Sequence, residues 1–254
     1  RSKELQPTDI RNPDYFHKVV DCQWACPAHT PVPEYIRLIA AGRYDDAYMV
    51  NWKSNVFPGI LGRTCDRPCE PACRRGRVEE ENAAKPEPVA ICRLKRVAAD
   101  LKGDIRSRLP QPAKKMNGKR IACVGAGPAS LTVARDLAPL GYSVTVFDQD
   151  PRAGGMIWSQ IPRFRLPLEV IDEEVGYILG LGVEFRGGVK IESMKELLTQ
   201  GYDAIFVGSG APRGRDLEIP GRKEGAAHIQ IGIDWLSSVS FGHTTKIGRR
   251  VIVS

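Results

Sequence analysis

Residues 120–130 read RIACVGAGPAS, and this stretch decides the fold of the second half of the chain. The apolar run at 120–124 predicts a short buried strand, and a helix is predicted over Ala129–Leu140. A second strand is predicted at Ser143–Asp148, with Gly141 at the turn between them. Strand, glycine-rich loop, helix and strand in this order form a βαβ unit, the unit that holds dinucleotides in doubly wound folds.

The glycine-rich loop has the chemistry of a pyrophosphate site. Gly125 permits the tight turn, Gly127 lets the backbone approach the pyrophosphate, and Ser130 is small enough for close packing of helix on strand. The helix N-terminus offers N–H donors and the positive end of its dipole to the phosphates. Asp148 lies 21 residues after Gly127 and is expected to hydrogen-bond the ribose. The motif predicts a dinucleotide site and leaves FAD and NAD(P) as alternatives.

Later glycines extend this prediction. The segment Arg152-Ala-Gly154-Gly155-Met156 can bring backbone close to a flat or charged group, and a plain loop is the alternative. A very apolar strand is predicted at Ala204–Val207, followed by Gly208-Ser-Gly210. The remaining predicted elements are helices at 168–181 and 194–200 and strands at 183–186 and 250–254.

Five cysteines of the first half of the chain lie in two short clusters, Cys22 with Cys26 and Cys65 with Cys69 and Cys73. Such spacing in a chain without a signal peptide indicates metal binding rather than disulfides. Proline after a ligand, as in Cys26-Pro27, is typical of ferredoxin-like iron–sulfur sites, and structural zinc is the main alternative. Cys123 lies inside a predicted strand and is interpreted as a small core residue.

The segments around these cysteines predict a small helical module. Helical spacing runs from Pro33 to Gly42, from Asp45 to about Ser54 and over Val89–Lys102, whereas residues 1–20 look irregular and residues 57–62 look like a turn. A module this small would gain from a metal that links its segments. We therefore expect an α+β multidomain chain: an all-α iron–sulfur domain at 1–102, a linker at 103–118, and an incomplete Rossmann-like FAD-binding domain at 119–254.

Composition excludes several classes of function. The net charge is +7, and residues 1–118 hold 21 Lys and Arg against 15 Asp and Glu. No basic stripe on a nucleic-acid reader fold is visible, so no nucleic-acid partner is expected. The excess is expected to offset an anionic cluster or to dock an acidic electron carrier; it comes from Arg63, Arg67, Arg74, Arg75 and Arg77. No apolar run reaches about 18 residues and no secretory h-region is present, so a cytoplasmic protein without a membrane span is expected.

Several of these segments together resemble a known family. They are Cys26-Pro, Gly62-Arg-Thr-Cys65, Pro68-Cys69-Glu-Pro-Ala-Cys73, Val124-Gly-Ala-Gly-Pro-Ala129, Gly154-Gly-Met156 and Ile161-Pro-Arg-Phe-Arg-Leu-Pro167. The chain resembles, from about residue 20 to 220, the small subunit of NADPH-dependent glutamate synthase. It is equally similar to the N-terminal half of dihydropyrimidine dehydrogenase and to related ferredoxin–NADP oxidoreductases.

The resemblance implies two [4Fe–4S] clusters. One would be held by Cys26, Cys65, Cys69 and a residue of the following helix. Lys95 stands at the usual position of that fourth ligand, so Cys92, one turn earlier, is expected to replace it. The other would use Cys22 and Cys73, and two positions that are cysteines in the family are Asp14 and His17 here. His17, and with it Asp14, is therefore a candidate ligand of that second cluster.

The resemblance also implies FAD bound by the βαβ unit. Its candidate contacts are Gly125, Gly127, Pro128, Ala129, Ser130, Asp148, Arg152, Gly154, Gly155, Met156, Val189, Gly208 and Gly210. The family continues into a second glycine-rich loop for NAD(P)H, so a fragment or a complex with other subunits is expected. The implied function is electron transfer between NAD(P)H, FAD and the clusters toward a redox partner subunit or a ferredoxin-like carrier. A cluster-carrying wire without flavin and a zinc-stapled structural subunit are the alternatives.

Overall fold

The computed structural model describes residues 20–77, 87–216 and 218–253. Packing divides the chain into two compact units, Arg1–Arg108 and Leu109–Ser254. The division falls inside the segment predicted as a linker, where Ile105 and Leu109 are nonetheless buried. The domain limits drawn from the sequence stay predictions.

The first unit is helical in its described part. It contains α1 (Asp21–Ala25), α2 (Val32–Ala40), α3 (Tyr44–Asn55), α4 (Pro58–Thr64) and α5 (Ile91–Leu101), with 3₁₀ turns at Arg74–Arg77 and Arg106–Arg108. Helices α2, α3 and α5 lie where hydrophobic spacing predicts them. Helix α4 forms where the sequence predicted a turn, because Pro58 occupies its first position, where proline's fixed φ and missing N–H cost nothing.

The core of the first unit combines aromatic and sulfur-containing side chains. Tyr35 and Tyr48 have no exposed surface, and two cysteines, Cys69 and Cys92, belong to the same buried cluster as Tyr35. Helices α4 and α5 approach closely at Gly62, where an added Cβ would lie 2.9 Å from the Cα of Arg96. This approach brings the end of α4, and Cys65 after it, to the helix that carries Cys92.

The second unit is built on a parallel four-stranded sheet. The strands are β1 (Arg120–Val124), β2 (Ser143–Phe147), β3 (Glu184–Arg186) and β4 (Ala204–Val207), in the order β3-β2-β1-β4. The helices are α6 (Pro128–Leu137), α7 (Met156–Ser159), α8 (Leu168–Leu179), α9 (Met194–Thr199) and α10 (Gly232–Ser240). The predicted fold class is confirmed: a helical domain precedes a Rossmann-like α/β domain.

The sheet places the candidate cofactor residues along one edge. Central strand β1 pairs with β2 on one side and β4 on the other, both in parallel. The carboxyl ends of these strands therefore share one edge, which is where ligands bind in open α/β sheets. The loop at 125–127, Asp148 and Gly208 follow β1, β2 and β4 at that edge.

One element predicted from the sequence is wrong. Residues 251–253 form no strand, although Arg250-Val-Ile-Val-Ser254 is apolar and β-branched. A strand requires a neighbour that pairs with its backbone, and no described strand lies beside this segment. Ile252 is accordingly 95% exposed. Within the ranges that the structure describes, no helix is long and apolar enough to cross a bilayer.

Candidate functional site

Three cysteines of the first unit are gathered by a turn and a helix start. Cys65 follows α4, Cys69 lies in the next turn and is buried, and Cys92 is buried in the first turn of α5. The backbone N–H of Arg67 donates to Cys65 Sγ at 3.3 Å. Arg67 has a φ of 61°, a left-handed conformation that is uncommon for a non-glycine residue and costs free energy. We call Cys65, Cys69 and Cys92 the cysteine trio.

The thiols of the trio interact directly. A hydrogen bond with Cys92 lowers the pKa of Cys65 to about 6, and a hydrogen bond with Cys92 also lowers the pKa of Cys69. The same two hydrogen bonds raise the pKa of Cys92, and the bond with Cys65 has the larger effect. Thiolate is the form that binds metal. These hydrogen bonds therefore favour the thiolate at Cys65 and Cys69 and the protonated thiol at Cys92.

Glu70 joins the cysteine-bearing turn to α5. Its Oε1 accepts a hydrogen bond from the backbone N–H of Cys92 at 3.1 Å. The first N–H groups of a helix have no partner inside the helix, so a carboxylate there is stabilising. Glu70 thereby fixes the start of α5, and with it Cys92, against the turn that carries Cys69.

The other three cysteines of this unit lie around the same core. Burial raises the pKa of Cys22 above its ordinary value, and the charges of Cys73 and Cys69 raise it further. Backbone hydrogen bonds lower the pKa, but by less. Burial raises the pKa of the Tyr35 phenol, and the charges of Cys69, Cys92, Cys22 and Cys26 raise it further. Tyr35 donates its hydroxyl proton to the carbonyl of Ile91 at 3.2 Å. Tyr35 is therefore a common neighbour of both sequence clusters.

Cys26 has a polar neighbour that the sequence did not indicate. Its Sγ lies 3.5 Å from the Thr30 hydroxyl oxygen, and Thr30 is 1% exposed. The Thr30 oxygen also accepts a hydrogen bond from Asn55 Nδ2 at 3.2 Å and lies 3.1 Å from the Ser54 hydroxyl. A thiolate at Cys26 can only accept, so Thr30 would donate to it.

The basic residues of this region divide into two kinds. Arg63 binds Asp100 at 2.6 Å and Arg74 binds Asp21 at 2.8 Å, so their charges are paired with carboxylates of the same unit.

Lys95 is different: it is 4% exposed on the buried face of α5. Its charge, after the stronger effects of thiol hydrogen bonding and burial, lowers the pKa of Cys65 and of Cys69. From the sequence, Lys95 was expected only as the residue that replaces a ligand, and the positive charge near the cluster was expected from arginines.

The donor set suits a cluster of irons. Among the residues that the structure describes, no three His, Cys, Asp or Glu side chains are placed to share a single metal ion. A [4Fe–4S] cluster takes one cysteine thiolate on each of four irons, so its ligands surround the cluster instead of meeting at one point. The trio and Cys26, the ligands expected from the sequence, are all thiols. His17 and Asp14 lie outside the described residues.

The dinucleotide loop of the second unit is closely packed against β4. Gly125 has a φ of 94°, and a Cβ there would lie 2.5 Å from the carbonyl oxygen of Gly208. A Cβ on Gly208 would lie 2.4 Å from Ser130 Oγ, so the small residue at the third position of the motif packs against the end of β4. A Cβ on Gly127 would meet only the Gly208 oxygen, at 3.9 Å. Gly127 is therefore packed less tightly against β4 than Gly125 is.

Asp148 supports this loop directly. It follows β2, and its Oδ2 accepts a hydrogen bond from the backbone N–H of Ala126 at 2.6 Å. Its other oxygen accepts from the N–H of Asp150 at 2.9 Å. Each carboxylate oxygen keeps a further lone pair for a hydroxyl group. The predicted ribose ligand thus also fixes the loop, and its ribose contact stays a prediction.

The segment Gly154-Gly155 packs on the dinucleotide loop at residues 125–127. The backbone N–H of Gly154 donates to the carbonyl of Ala126 at 2.8 Å. Gly155 has a φ of 54°, and a Cβ there would lie 2.9 Å from the Cα of Gly127. The sequence predicts that this segment approaches a flat or charged group, and that contact stays a prediction. The contact with the dinucleotide loop was not indicated by the sequence.

The remaining predicted cofactor residues lie around this edge in different ways. The N–H of Val189 donates to the carbonyl of Asp148 at 2.7 Å, and Met156 is 57% exposed at the start of α7. Gly210 follows β4 with a φ of 68°. Arg152 lies over the Trp158 ring at 5.4 Å and 3.7 Å from Asp172. Pro128 and Ala129 begin α6.

Comparison with known proteins decides the family. Residues 16–106 match the family described as dihydropyrimidine dehydrogenase domain II, 4Fe-4S cluster. Residues 123–172 match an NAD(P)-binding Rossmann-like domain. The chain carries an iron–sulfur domain of the dihydropyrimidine dehydrogenase type. This domain contains all six cysteines proposed as ligands, and the Rossmann-like match contains the glycine-rich loop and Asp148.

The chain matches curated proteins that are named as oxidoreductase subunits or as a glutamate synthase small chain. It is 33% identical to the NADPH-Fe(3+) oxidoreductase subunit beta of Geobacter sulfurreducens, over 97% of the chain and 37% of the relative. It is 34% identical to the glutamate synthase [NADPH] small chain of Mycobacterium tuberculosis, over 87% and 44%. It is 33% identical to the NAD-dependent dihydropyrimidine dehydrogenase subunit PreT homolog of Salmonella typhi, over 85% and 50%.

These matches confirm the resemblance seen in the sequence. The chain spans half or less of the length of each of these relatives. The similarity covers the iron–sulfur domain and the Rossmann-like unit of this chain.

Proposed function

We propose that the protein is an electron-transfer flavoprotein module, with one [4Fe–4S] cluster held by Cys26 and the cysteine trio and FAD held by the βαβ unit. The observation that carries the proposal is the pairing, in one chain, of an all-thiol donor set, of which Cys69 and Cys92 are buried, with a glycine-lined dinucleotide loop. When bound, the cofactors supply the exchange between hydride and single electrons. The relatives' names support NAD(P)H as the reductant or product, and two of them name NADPH.

The chain's own residues bind and tune these groups. The N–H of Arg67 and the hydroxyl of Thr30 donate to sulfur, and hydrogen bonds to cluster sulfurs set the reduction potential. The first-turn N–H groups of α6, which follow the loop at Gly127, receive the pyrophosphate, since these N–H groups have no intrahelical partner. Asp148 holds the loop and offers its remaining lone pairs to the ribose.

A second cluster and the external partners complete the proposal. The charge of Cys73 raises the pKa of Cys22 after the larger effect of burial, which supports a shared site at which His17 and Asp14 would join them. The relatives are named as subunits, and we infer a redox subunit or a ferredoxin-like carrier as the electron partner. Thiols kept reduced for metal binding favour the cytoplasm.

Metal and flavin analysis of the anaerobically purified protein tests the function. We expect iron, acid-labile sulfide and a flavin released on denaturation. Cys69→Ala should lose about one cluster's content of iron, from the four-iron stoichiometry of such clusters, while the flavin stays bound.

Cys123→Ala is the matched control, because Cys123 is a fully buried core residue of β1 whose pKa burial raises to about 11. It should keep iron and flavin. Zinc in place of iron would favour a structural staple, and iron without flavin would favour an electron wire. Loss of flavin with full iron in Cys69→Ala would contradict the assignment of residues.

A further inference from the structure

Lys95 is a buried cation beside the proposed cluster ligands. It lies one helical turn after Cys92 on α5, and both side chains belong to the buried face of that helix, which also carries Ile91 and Ala98. Lys95 is 4% exposed, and lysine is almost never buried to this degree without a compensating negative charge. The neighbours on this face, Ile91 and Ala98, are apolar and offer no such charge.

The ligand sulfurs of the trio are the groups in this part of the core that can carry such a charge. Cys92 lies one turn before Lys95 on the buried face of α5, and Cys69 belongs to the same buried cluster as Cys92, Ile91 and Ala98. The neighbouring acids are engaged elsewhere: Glu70 accepts from the Cys92 N–H, and Asp100 binds Arg63 at 2.6 Å. Lys95 therefore lies buried where the anionic group expected in this unit would be bound.

We propose that the ammonium group of Lys95 is the counter-charge that raises the reduction potential of the [4Fe–4S] cluster held by the cysteine trio. The inference rests on the proposed function, and it adds a tuning residue that ligates nothing. Reduction adds one electron to the cluster and hence one negative charge. A buried positive charge stabilises that state strongly, because little solvent screens it. Cluster charge and surroundings are among the factors that set these potentials.

A charge-removal pair tests the proposal. Lys95→Met removes the ammonium and keeps a long unbranched side chain in the core. Arg93→Met removes a positive charge from the exposed side of the same helix, one residue after Cys92. Iron and sulfide are measured in each protein. The midpoint potential of the cluster is then measured by redox titration followed by electron paramagnetic resonance, on the signal that Cys69→Ala abolishes.

Lys95→Met is expected to keep full iron and to shift the midpoint potential to a more negative value, while Arg93→Met leaves it unchanged. The shift should persist at raised ionic strength, since salt screens exposed charges and leaves buried ones largely unscreened. Lys95→Gln, which keeps a polar head without charge, should reproduce it.

The outcomes separate this inference from the function it rests on. Full iron with an unchanged or more positive potential in both Lys95 variants contradicts the role of Lys95 alone. Loss of iron from both variants, with iron present in the parent protein, also contradicts it, because Lys95 would then hold the cluster together rather than tune it. Absence of iron from the parent protein contradicts the proposed function and the inference with it.

Discussion

Single side chains adjust the proposed cluster environment from both sides of the ligands. Thr30 reaches the sulfur of Cys26 from a buried position that also engages Asn55 and Ser54. Hydrogen bonds to sulfur stabilise the more negatively charged reduced state. The ligand sulfurs are therefore only part of the site, and their hydrogen-bond donors belong to it as well.

Thr30→Val is expected to make the cluster potential more negative, because valine keeps the shape of threonine and removes the hydroxyl donor. Redox titration of the loaded protein measures the change. Ser54→Ala, which removes a neighbour of Thr30 without touching Cys26, should leave the potential close to that of the parent. Equal potentials for Thr30→Val and the parent would show that the hydroxyl does not donate to the sulfur.

The close packing of Gly208 against Ser130 allows a second prediction at the scale of single residues, on stability and flavin binding. Gly208→Ala places a methyl group against Ser130 Oγ and should cost about 1–3 kcal/mol of stability, together with bound flavin. Ser130→Ala removes that oxygen, which is buried without a hydrogen-bond partner within the described structure, and should be neutral or stabilising.

The double variant should recover part of the Gly208→Ala loss, since residues in contact couple by about 0.5–3 kcal/mol. Urea unfolding and flavin release measure both quantities. Strictly additive effects would argue against the contact.

At the scale of elements, the approach of α4 to α5 positions the trio. Cys65 follows one helix and Cys92 begins the other, and Gly62 permits the two helices to touch. A side chain at Gly62 would meet backbone atoms of Arg96 at 2.9 Å, which cannot rotate away. The geometry of the ligands thus depends on a residue that binds no metal.

Gly62→Ala should therefore destabilise the first unit by about 1–3 kcal/mol through overpacking and reduce its iron content. The same substitution in α8, Gly176→Ala, meets no atom within 4 Å and should stabilise its helix by up to about 1 kcal/mol. Thermal unfolding and iron analysis compare the two. A Gly62→Ala protein as stable as the parent would mean that the helices can separate without cost.

The sequence predicted elements well where a local pattern determined them. The βαβ unit was found because apolar runs and glycines mark its strands and loop. Helix α4 was missed because Pro58, Gly59 and Gly62 resemble a turn, whereas proline at the first helical position and glycine at a helix contact are both compatible with a helix. The burial of Lys95 and the contact of Thr30 with Cys26 were not predictable, because they depend on packing between segments distant in sequence.

At the scale of the whole molecule, the two units are stabilised in different ways. The second unit has a hydrogen-bonded sheet and an apolar core, including Val146 and Ile178, with no exposed surface. The core of the first unit includes Cys69 and Cys92, with Cys22 and Cys65 packed against it. When ligands form part of a small core, metal binding contributes to folding free energy.

Removal of the iron should therefore loosen the first unit and spare the second. Hydrogen exchange on protein stripped of iron should show lost amide protection in α2, α3 and α5 and retained protection in β1, β2 and β4. Protein stripped of flavin is the control and should keep protection in the helices. Equal protection of α5 with and without iron would show that its fold does not need the metal.

The contact of Gly155 with Gly127 has a consequence for engineering. Two segments separated in sequence by helix α6 and strand β2 form a single surface, with the backbone of one packed on the backbone of the other. A redesign of nucleotide preference that exchanges only residues 125–127 would leave residues 154–155 packed against a loop that they no longer fit. Both segments have to be transplanted together, as one composite part.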